Sequence, residues 1–288
     1  MKSNIHLLAI DTQNDFCDIT AAQLPLDMEG NTVNPALPVT GAHADMQRLG
    51  ELVQRGMKGL SDISVTMDSH HHLGIERPTF WMTGQGGPVS PFTLITADDV
   101  RNGRFLPKNP AATPRVLAYL DTLEAAGRYN LMIWPVHCEI GTWGHNIHEN
   151  FRKAYNVWEE REFGVVNKVT KGSNPWTEHY SALQAEVPDP MDPTTQLNRG
   201  LIDILEASDQ VVIAGEAGSH CVKATVEHIV ENFDAKSVSK LVILTDCISP
   251  VAGFEQQYKD FLADMSGKGV QMSTSGDFLP ELISNSRK

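Results

Sequence analysis

The chain has 288 residues, of which 41% are hydrophobic and 20% are charged, and its formal net charge is −13 at pH 7. This composition is ordinary for a globular protein with a well-buried core. An acidic chain without a run of lysines or arginines lacks the basic surface that nucleic acids and anionic membranes require. No apolar stretch is long enough to span a bilayer. We therefore expect a small-molecule partner and neither a nucleic-acid nor a membrane partner.

The N-terminal residues and the cysteines predict the compartment. Residues 1–6 lead directly into a strand-like segment, without the apolar core and cleavage site of a signal peptide. Cys17, Cys138, Cys221 and Cys247 are scattered without Cys-x-x-Cys spacing, which is typical of reduced thiols in a reducing compartment. We therefore expect a cytoplasmic protein.

Short apolar runs alternate with segments of helical periodicity along most of the chain. The predicted strands are 5–10, 63–67, 131–134, 165–169, 210–214, 240–245 and 270–273. The predicted helices are 46–57, 194–208, 222–233 and 254–266. Strands that are apolar on both faces and alternate with helices predict an α/β protein, with a three-layer α/β/α Rossmann-like fold and a mostly parallel, about six-stranded sheet.

One region interrupts the alternation. Residues 82–128 contain Gly84-Gln-Gly-Gly-Pro88, several further prolines and a short helical stretch near 115–126. We predict a single domain over residues 1–288 with an insertion at about 82–128. Such excursions often serve as lids or interface arms, and an exposed arm of this kind suggests a homo-oligomer.

Five reactive side chains fall at or just beyond the carboxyl ends of predicted strands. They are Asp11, Asp68, His137, Lys171 and Cys221. In open parallel sheets the ligand crevice lies at that edge. The sequence therefore predicts a functional site where these side chains converge.

Cys221 lies in a turn of small residues, 215–222, between a predicted strand and a predicted helix. A thiolate at a helix N-terminus is stabilised by free N–H groups and the helix dipole, and the same amides can hold an oxyanion. The alternatives are a structural cysteine, a capping role for Asp11 and a surface position for Lys171. Together, a carboxylate that takes the thiol proton and an ammonium that holds the thiolate form an activation set.

A second cluster consists of Asp68-Ser-His70-His-His72, Glu76 and the distant His137. An aspartate and a histidine one residue apart can both face a metal where they leave a strand. Carboxylate and imidazole ligands suit zinc, manganese or iron. A solvated loop is the alternative, and His137 is the third ligand that the metal hypothesis needs.

Four motifs resemble, in the same order, those of nicotinamidases within the isochorismatase-like cysteine hydrolases. They are Asp11-Thr-Gln-Asn-Asp15-Phe16, Trp134-Pro-Val-His137-Cys-Glu-Ile-Gly-Thr, Lys171-Gly172 and Gly215 to Cys221-Val222. With the strands between them they cover most of the chain. The Trp-Pro-x-His-Cys motif is the most specific, because it separates nicotinamidase-like members from relatives without a metal.

The resemblance implies an amidohydrolase that cleaves a small carboxamide, nicotinamide to nicotinate, through a thioester and with release of ammonia. Cys221 is the implied nucleophile, Asp11 the general base and Lys171 the support of the thiolate. The amides of Ala217 and Cys221 form the implied oxyanion hole, after a cis peptide bond between Glu216 and Ala217.

The resemblance also implies a metal and a ring pocket. The implied metal ligands are Asp68, His70 and His137, and the implied ring-binding residues are Phe16, Trp134 and Tyr180. The metal, expected to be zinc with manganese or iron as alternatives, anchors or polarises a pyridine nitrogen.

Three departures put the substrate in doubt. Arg77 stands where the family carries a further histidine ligand, which leaves Arg77, His72 or Glu76 near the metal. Gly218 stands where a threonine is common, and the insertion is longer than in compact members. The alternatives are a hydrolase of another small amide, such as a ureido or carbamoyl compound, a hydrolase that uses metal-bound water, and a non-catalytic binding protein with this fold.

Overall fold

A computed structural model describes residues 2–287. Within that range the strands are β1 (Ile5–Ile10), β2 (Asp62–Asp68), β3 (Trp81–Thr83), β4 (Thr93–Ile95), β5 (Phe105–Pro107), β6 (Leu131–Ile133), β7 (Asn167–Lys171), β8 (Gln210–Gly215), β9 (Leu241–Leu244) and β10 (Gln271–Ser273). The helices are α1 (Ala42–Gly56), α2 (Ala97–Arg101), α3 (Thr113–Ala126), α4 (Glu149–Glu162), α5 (Arg199–Glu206), α6 (Cys221–Asn232), α7 (Glu255–Gly267) and α8 (Ser275–Asn285). No helix in these residues is long and apolar enough to cross a membrane.

The centre of the molecule is a parallel sheet of six strands among residues 2–287, in the order β10-β9-β8-β1-β2-β7. Helix α1 packs against α4 and α8, while α6 packs against α7. Because helices cover the sheet, its middle strands are apolar on both faces. The predicted three-layer α/β/α fold is confirmed.

Strand β1 lies in the middle of this sheet, and all six of its residues are buried. Each fully buried Leu or Ile side chain contributes roughly 1.5–3 kcal/mol to the free energy of unfolding. The polar member of the strand, His6, is accommodated because its Nε2 lies 2.9 Å from the Ser64 hydroxyl of β2. Burial lowers the pKa of His6 to about 4, so the ring is neutral in the core at pH 7.

Strand β6 corrects one prediction. The apolar run at 131–134 does form a strand, but β6 pairs with β4 in a separate antiparallel ladder and does not enter the parallel sheet. A short apolar run indicates burial without indicating which partner it has. The edge strand is instead β7, which begins two residues later than predicted and reaches Lys171.

Helices α4 and α8 were not predicted. In α4 the charged residues outnumber the apolar ones, yet Phe151, Ala154, Tyr155 and Trp158 are buried at the i, i+3, i+4, i+7 spacing of one helix face. The signal for α4 was therefore present in the sequence. In α8 an internal proline, Pro280, interrupts the helical pattern.

The segment between β2 and β6 has an apolar cluster of its own. Its strands form two short antiparallel ladders, β3 with β5 and β4 with β6. The cluster includes Trp81, Ile95, Val116, Leu120 and Ile133. Since β6 belongs to the second of these ladders and ends at Ile133, Trp134 is the first residue after the ladder.

Candidate active site

Four of the five reactive side chains meet at one edge of the sheet. Asp11 follows β1, Asp68 ends β2, Lys171 ends β7, and Cys221 begins α6 just after β8. Because β8, β1, β2 and β7 are consecutive neighbours in the parallel sheet, their carboxyl ends lie side by side. The fifth, His137, reaches the same place on the loop that follows β6.

Asp11, Lys171 and Cys221 form a compact buried group, the candidate catalytic trio. The Lys171 Nζ lies 2.8 Å from Oδ2 of Asp11 and 3.6 Å from Sγ of Cys221. A carboxylate oxygen of Asp11 and the Cys221 sulfur are within 4.8 Å of each other. The three residues are only 0%, 3% and 6% exposed, so water screens these charges little.

Two glycines permit this close packing. Gly215, at the end of β8, has a φ of +121°, and a Cβ there would lie 1.9 Å from the carbonyl oxygen of Ile10. Gly172, with a φ of +85°, leaves room for His70, whose Cε1 would lie 2.6 Å from a Cβ at that position. Only glycine fits these positions without displacing the strand ends or His70.

Burial raises the pKa of the Cys221 thiol well above its usual value; Lys171 opposes this effect, and the carboxylates of Asp11 and Asp68 add to it. The resting sulfur is therefore a thiol. This differs from the sequence-based expectation of a thiolate stabilised by the helix N-terminus, because desolvation dominates in a site this dry. Burial also raises the pKa of Asp11, although Lys171 opposes it, which favours Asp11 as a proton acceptor.

Lys171 retains its proton. Burial alone would lower its pKa, but Asp11 and Asp68 raise it well above the usual value. The ammonium also donates a hydrogen bond to the carbonyl of His179 at 3.0 Å. A fixed cation thus stands between the two carboxylates.

Asp68 joins the candidate catalytic trio to a second group. Its Oδ1 accepts a hydrogen bond from Lys171, while its Oδ2 lies 3.2 Å from Nε2 of His70 and 3.5 Å from Nε2 of His137. Burial opposes ionisation of Asp68, but Lys171 and His70 hold its pKa well below the usual value. The carboxylate is therefore ionised.

Asp68, His70 and His137 are buried, and their ligand atoms all lie within 4.8 Å of one another. Burial, followed by the charge of Arg77, lowers the pKa of both histidines, that of His70 to about 3. Both rings are therefore neutral, as metal coordination requires. One carboxylate and two imidazoles fit a divalent zinc, manganese or iron ion.

The outer nitrogens of the two rings lie beside different polar groups. Nδ1 of His70 lies 3.4 Å from Oε1 of Glu76 but makes no hydrogen bond among the described residues. Nδ1 of His137 lies 2.8 Å from the carbonyl of Pro135 and 2.6 Å from Nη1 of Arg77. The inner nitrogen, Nε2, of each ring faces Asp68.

Arg77 lies behind His137 and outside the ligand group. Its Nη1 donates to the carbonyl of Pro135 at 2.7 Å and is 2.6 Å from Nδ1 of His137. Its Nε pairs with Glu76 at 3.0 Å, and the side chain is fully buried. A guanidinium can only donate, so Arg77 cannot be a metal ligand.

Glu76 and His72, the other two candidates for a further ligand, lie in different surroundings. Glu76 faces the outer nitrogen of His70, away from Asp68. His72 is exposed and pairs with Glu139 at 3.1 Å. Among residues 2–287, neither joins the Asp68–His70–His137 group.

The three ring-binding residues that the resemblance implies line one pocket beside Cys221. Phe16, Trp134 and Tyr180 are all buried, and the Trp134 indole N–H donates to the Tyr180 hydroxyl at 2.9 Å. The pocket volume is 30 Å³, enough for on the order of two water molecules. Its walls must therefore separate to admit an aromatic amide.

The amides implied for the oxyanion hole are free. The Glu216–Ala217 peptide bond is cis. The N–H groups of Ala217 and Cys221 donate to no carbonyl in residues 2–287, whereas those of His220 and Val222 both donate to the Ala217 carbonyl. Free N–H groups next to the sulfur can stabilise a developing oxyanion.

Sequence reasoning missed four residues of this pocket, of which two, His220 and Glu178, are titratable. His220 packs against Trp134 and Tyr180, with ring centroids 5.1 Å and 5.3 Å apart, and its position next to Cys221 could have indicated this. Glu178 is 6% exposed, and its Oε2 has no hydrogen-bond partner among the described residues. Burial and the charges of Glu76 and Asp68 raise the pKa of Glu178 to about 8.

Solved structures of known proteins share this fold. No protein-family model matches the sequence, and no curated protein matches it either. Among solved structures, a nicotinamidase/pyrazinamidase from Acinetobacter baumanii matches with a TM-score of 0.60 and 18% identity, over 96% of this chain and 98% of that one. The yeast nicotinamidase bound to the inhibitor nicotinaldehyde has a TM-score of 0.61 at 18% identity, over 94% and 99%. A Pyrococcus horikoshii pyrazinamidase in complex with zinc has a TM-score of 0.50 at 17% identity, over 94% and 99%.

These similarities extend over nearly the whole of each chain. The protein therefore has the α/β fold of nicotinamidases and pyrazinamidases, as the sequence motifs led us to expect. At identities of 17–18% the likeness concerns the fold, and an argument about function must come from the site.

Proposed function

We propose that the protein is a cysteine amidohydrolase that converts a small carboxamide, in the first place nicotinamide, to the acid and ammonia. The observation that carries the proposal is the buried candidate catalytic trio, with Lys171 2.8 Å from Asp11 and 3.6 Å from Cys221. A thiol, a carboxylate that can take its proton and a fixed cation are the parts that nucleophilic catalysis requires.

In the first half of the reaction, Asp11 takes the proton from Sγ of Cys221, and the sulfur attacks the amide carbon. The developing oxyanion lies against the amides of Ala217 and Cys221. Lys171 stabilises the thiolate as it forms. Collapse of the adduct breaks the C–N bond, Asp11 delivers its proton to the leaving nitrogen, and ammonia departs from a thioester.

In the second half, Asp11 accepts a proton from water, and the hydroxide adds to the thioester carbon. The same two amides again hold the oxyanion. The C–S bond breaks, the acid leaves, and the proton returns to Cys221. Asp11 thus serves as base and acid in turn.

A divalent metal fits the proposed reaction. Asp68, His70 and His137 would hold it, and when bound it supplies a Lewis-acid anchor for a ring nitrogen of the substrate. Glu76 lies beside the outer nitrogen of His70, and Arg77 and the carbonyl of Pro135 lie beside that of His137. Phe16, Trp134 and Tyr180 provide the apolar walls for a flat ring.

The test is ammonia release from nicotinamide by the zinc-loaded protein, compared with Cys221→Ala and Cys247→Ala. Cys247 is buried and lies outside the pocket, so its variant controls for loss of a buried thiol. We expect turnover by the wild type and by Cys247→Ala and none by Cys221→Ala. Turnover that survives Cys221→Ala would instead identify metal-bound water as the nucleophile.

No release from nicotinamide by wild type would reject this substrate. A panel of other small amides, including ureido and carbamoyl compounds, would then test the broader proposal. No turnover of any of them would leave a binding protein. The cytoplasmic location and the homo-oligomer stay predictions, the first based on four free, buried cysteines.

A further inference from the structure

A second and much larger cleft lies apart from the pocket that Phe16, Trp134 and Tyr180 line beside Cys221, which we call the catalytic pocket. Its volume is 710 Å³, within the range of about 300–1,000 Å³ that is typical of small-molecule sites. It shares no lining residue with the catalytic pocket. Met67 of β2 lines this cleft while the next residue, Asp68, lines the catalytic pocket, as successive side chains of a strand point to opposite faces.

The walls of this cleft carry positive charge without matching negative charge, although the whole chain is at −13. Arg152 and Lys168 line it, and neither side chain has an ion pair or a hydrogen bond with residues 2–287. The one carboxylate in the lining, Glu149, is paired with Lys153 at 2.7 Å. We call this region the cation cleft.

Two histidines form the inner wall of the cation cleft. His43 Nδ1 lies 2.9 Å from His148 Nε2. His148 is 2% exposed, and its Nδ1 has no hydrogen-bond partner among the described residues. A buried polar atom without a partner is costly unless a ligand or a water satisfies it. His148 is also the N-cap of α4 and makes no side-chain capping bond, so the first N–H groups of that helix are open to an anion.

The cation cleft also has an apolar wall. Trp143, which is half-buried, lines it. Tyr155 is 2% exposed, and the Lys168 ammonium lies over its ring, 5.3 Å from the centre. A ligand ring can pack against Trp143 while an acidic group meets Arg152 and Lys168.

We propose that the cation cleft is a second ligand-binding site, for an organic anion that carries a phosphate or carboxylate group next to an aromatic ring. Arg152, Lys168 and the α4 N-terminus bind the acidic group. His148 donates to it through Nδ1–H. Trp143 holds the ring.

Calorimetric titration of the full chain with phenyl phosphate tests the proposal. We expect saturable binding of one equivalent, and weaker binding of phenol, which lacks the charge, and of inorganic phosphate, which lacks the ring. Arg152→Gln and Lys168→Gln should each weaken binding of phenyl phosphate about tenfold. Both side chains are exposed, so the variants should fold normally.

Arg161→Gln is the matched control, because it removes the same charge from an exposed residue of α4 that lies outside the cleft. Lys153 is unsuitable, since it neutralises Glu149 in the cleft lining. Arg161→Gln should bind phenyl phosphate as the wild type does, and so should Cys221→Ala. Nitrogen signals of His148 should shift on titration while those of His6, which is buried elsewhere, stay constant. No saturable binding, or equal weakening by Arg161→Gln, would overturn the proposal.

Discussion

The catalytic pocket and the cation cleft place charged side chains in opposite surroundings. Beside the catalytic pocket, Lys171 is buried and in contact with two carboxylates. In the cation cleft, Arg152 and Lys168 are exposed and have no carboxylate partner among residues 2–287. The first arrangement fixes a reacting group, and the second leaves charge available to a ligand.

The catalytic pocket and the cation cleft also differ in volume. The catalytic pocket measures 30 Å³ and the cation cleft 710 Å³. A dry, narrow pocket strengthens every electrostatic interaction with the sulfur, at the cost of having to open for the substrate. The wide cleft has room for a ligand, but water weakens its charges.

The largest effect expected is on catalysis, from removal of the base. Asp11→Asn retains the shape of the side chain but cannot accept the Cys221 proton, so kcat/KM for amide hydrolysis should fall by about 10³-fold. Asp62→Asn, at the exposed start of β2, should leave kcat/KM unchanged. Comparable activity of Asp11→Asn and wild type would remove Asp11 from the mechanism.

The next largest effect is expected on metal binding. His70 and His72, two histidines of the same run, allow a direct comparison. His70→Ala removes a buried ligand and should lower zinc affinity by at least about tenfold, with a matching loss of activity. His72→Ala changes an exposed side chain and should retain one equivalent of zinc. Mass-spectrometric metal analysis after dialysis checks both, and equal zinc contents would contradict the ligand assignment.

A smaller effect is expected on stability, through Glu178. Its pKa is about 8 in the folded protein and about 4.5 when exposed. A raised pKa means that this carboxyl contributes most to stability below about pH 4.5 and that the contribution is lost as the pH rises through about 8. Glu178→Gln cannot ionise, so the wild type should lose a few kcal/mol relative to the variant over this interval.

Urea unfolding of metal-free wild type and Glu178→Gln at about pH 5 and about pH 8 measures this difference. Removing the metal keeps its charge from shifting the titration. If the free energies of unfolding of the two proteins change by the same amount across that interval, Glu178 is not held neutral by the pocket.

The smallest effect separates the two regions by salt. Exposed cations are screened as the Debye length shrinks, so the affinity of the cation cleft for phenyl phosphate should fall several-fold from about 0.05 M to about 0.5 M NaCl. The KM for a neutral amide should change by less than about twofold, since the catalytic charges are buried. An equal response of both parameters would indicate that the two regions do not differ in solvation.

The sequence was sufficient for the fold and for the five reactive side chains that meet at the sheet edge. The buried runs that became β1, β2, β8 and β9 were readable because a covered parallel sheet needs strands that are apolar throughout. Asp11, Asp68 and Cys221 were found because they follow these strands directly. Residues at the ends of neighbouring parallel strands must lie close together, whatever else the chain does.

Prediction was weaker where local pattern and long-range packing differ. Strand β7 lies at the sheet edge with mostly exposed residues, so its apolar signal was faint. The run that became β6 was apolar enough to predict a strand, but its pairing with β4 depends on the position of residues 93–95. Glu178 lies in an irregular segment, and without helix or strand periodicity the sequence does not show that its side chain faces the pocket.

The amino-acid sequence by itself determined the covered sheet, the order of its motifs and the reactive groups at its edge, because these depend on apolar periodicity and chain order. Only the tertiary structure decided that Arg77 lies behind His137, and that Cys221 is a buried thiol. It also brought His43 and Lys168, which are distant in sequence, to one cleft. Side-chain direction in loops and the desolvation of charges are set by packing between remote segments, and a linear pattern carries no record of that packing.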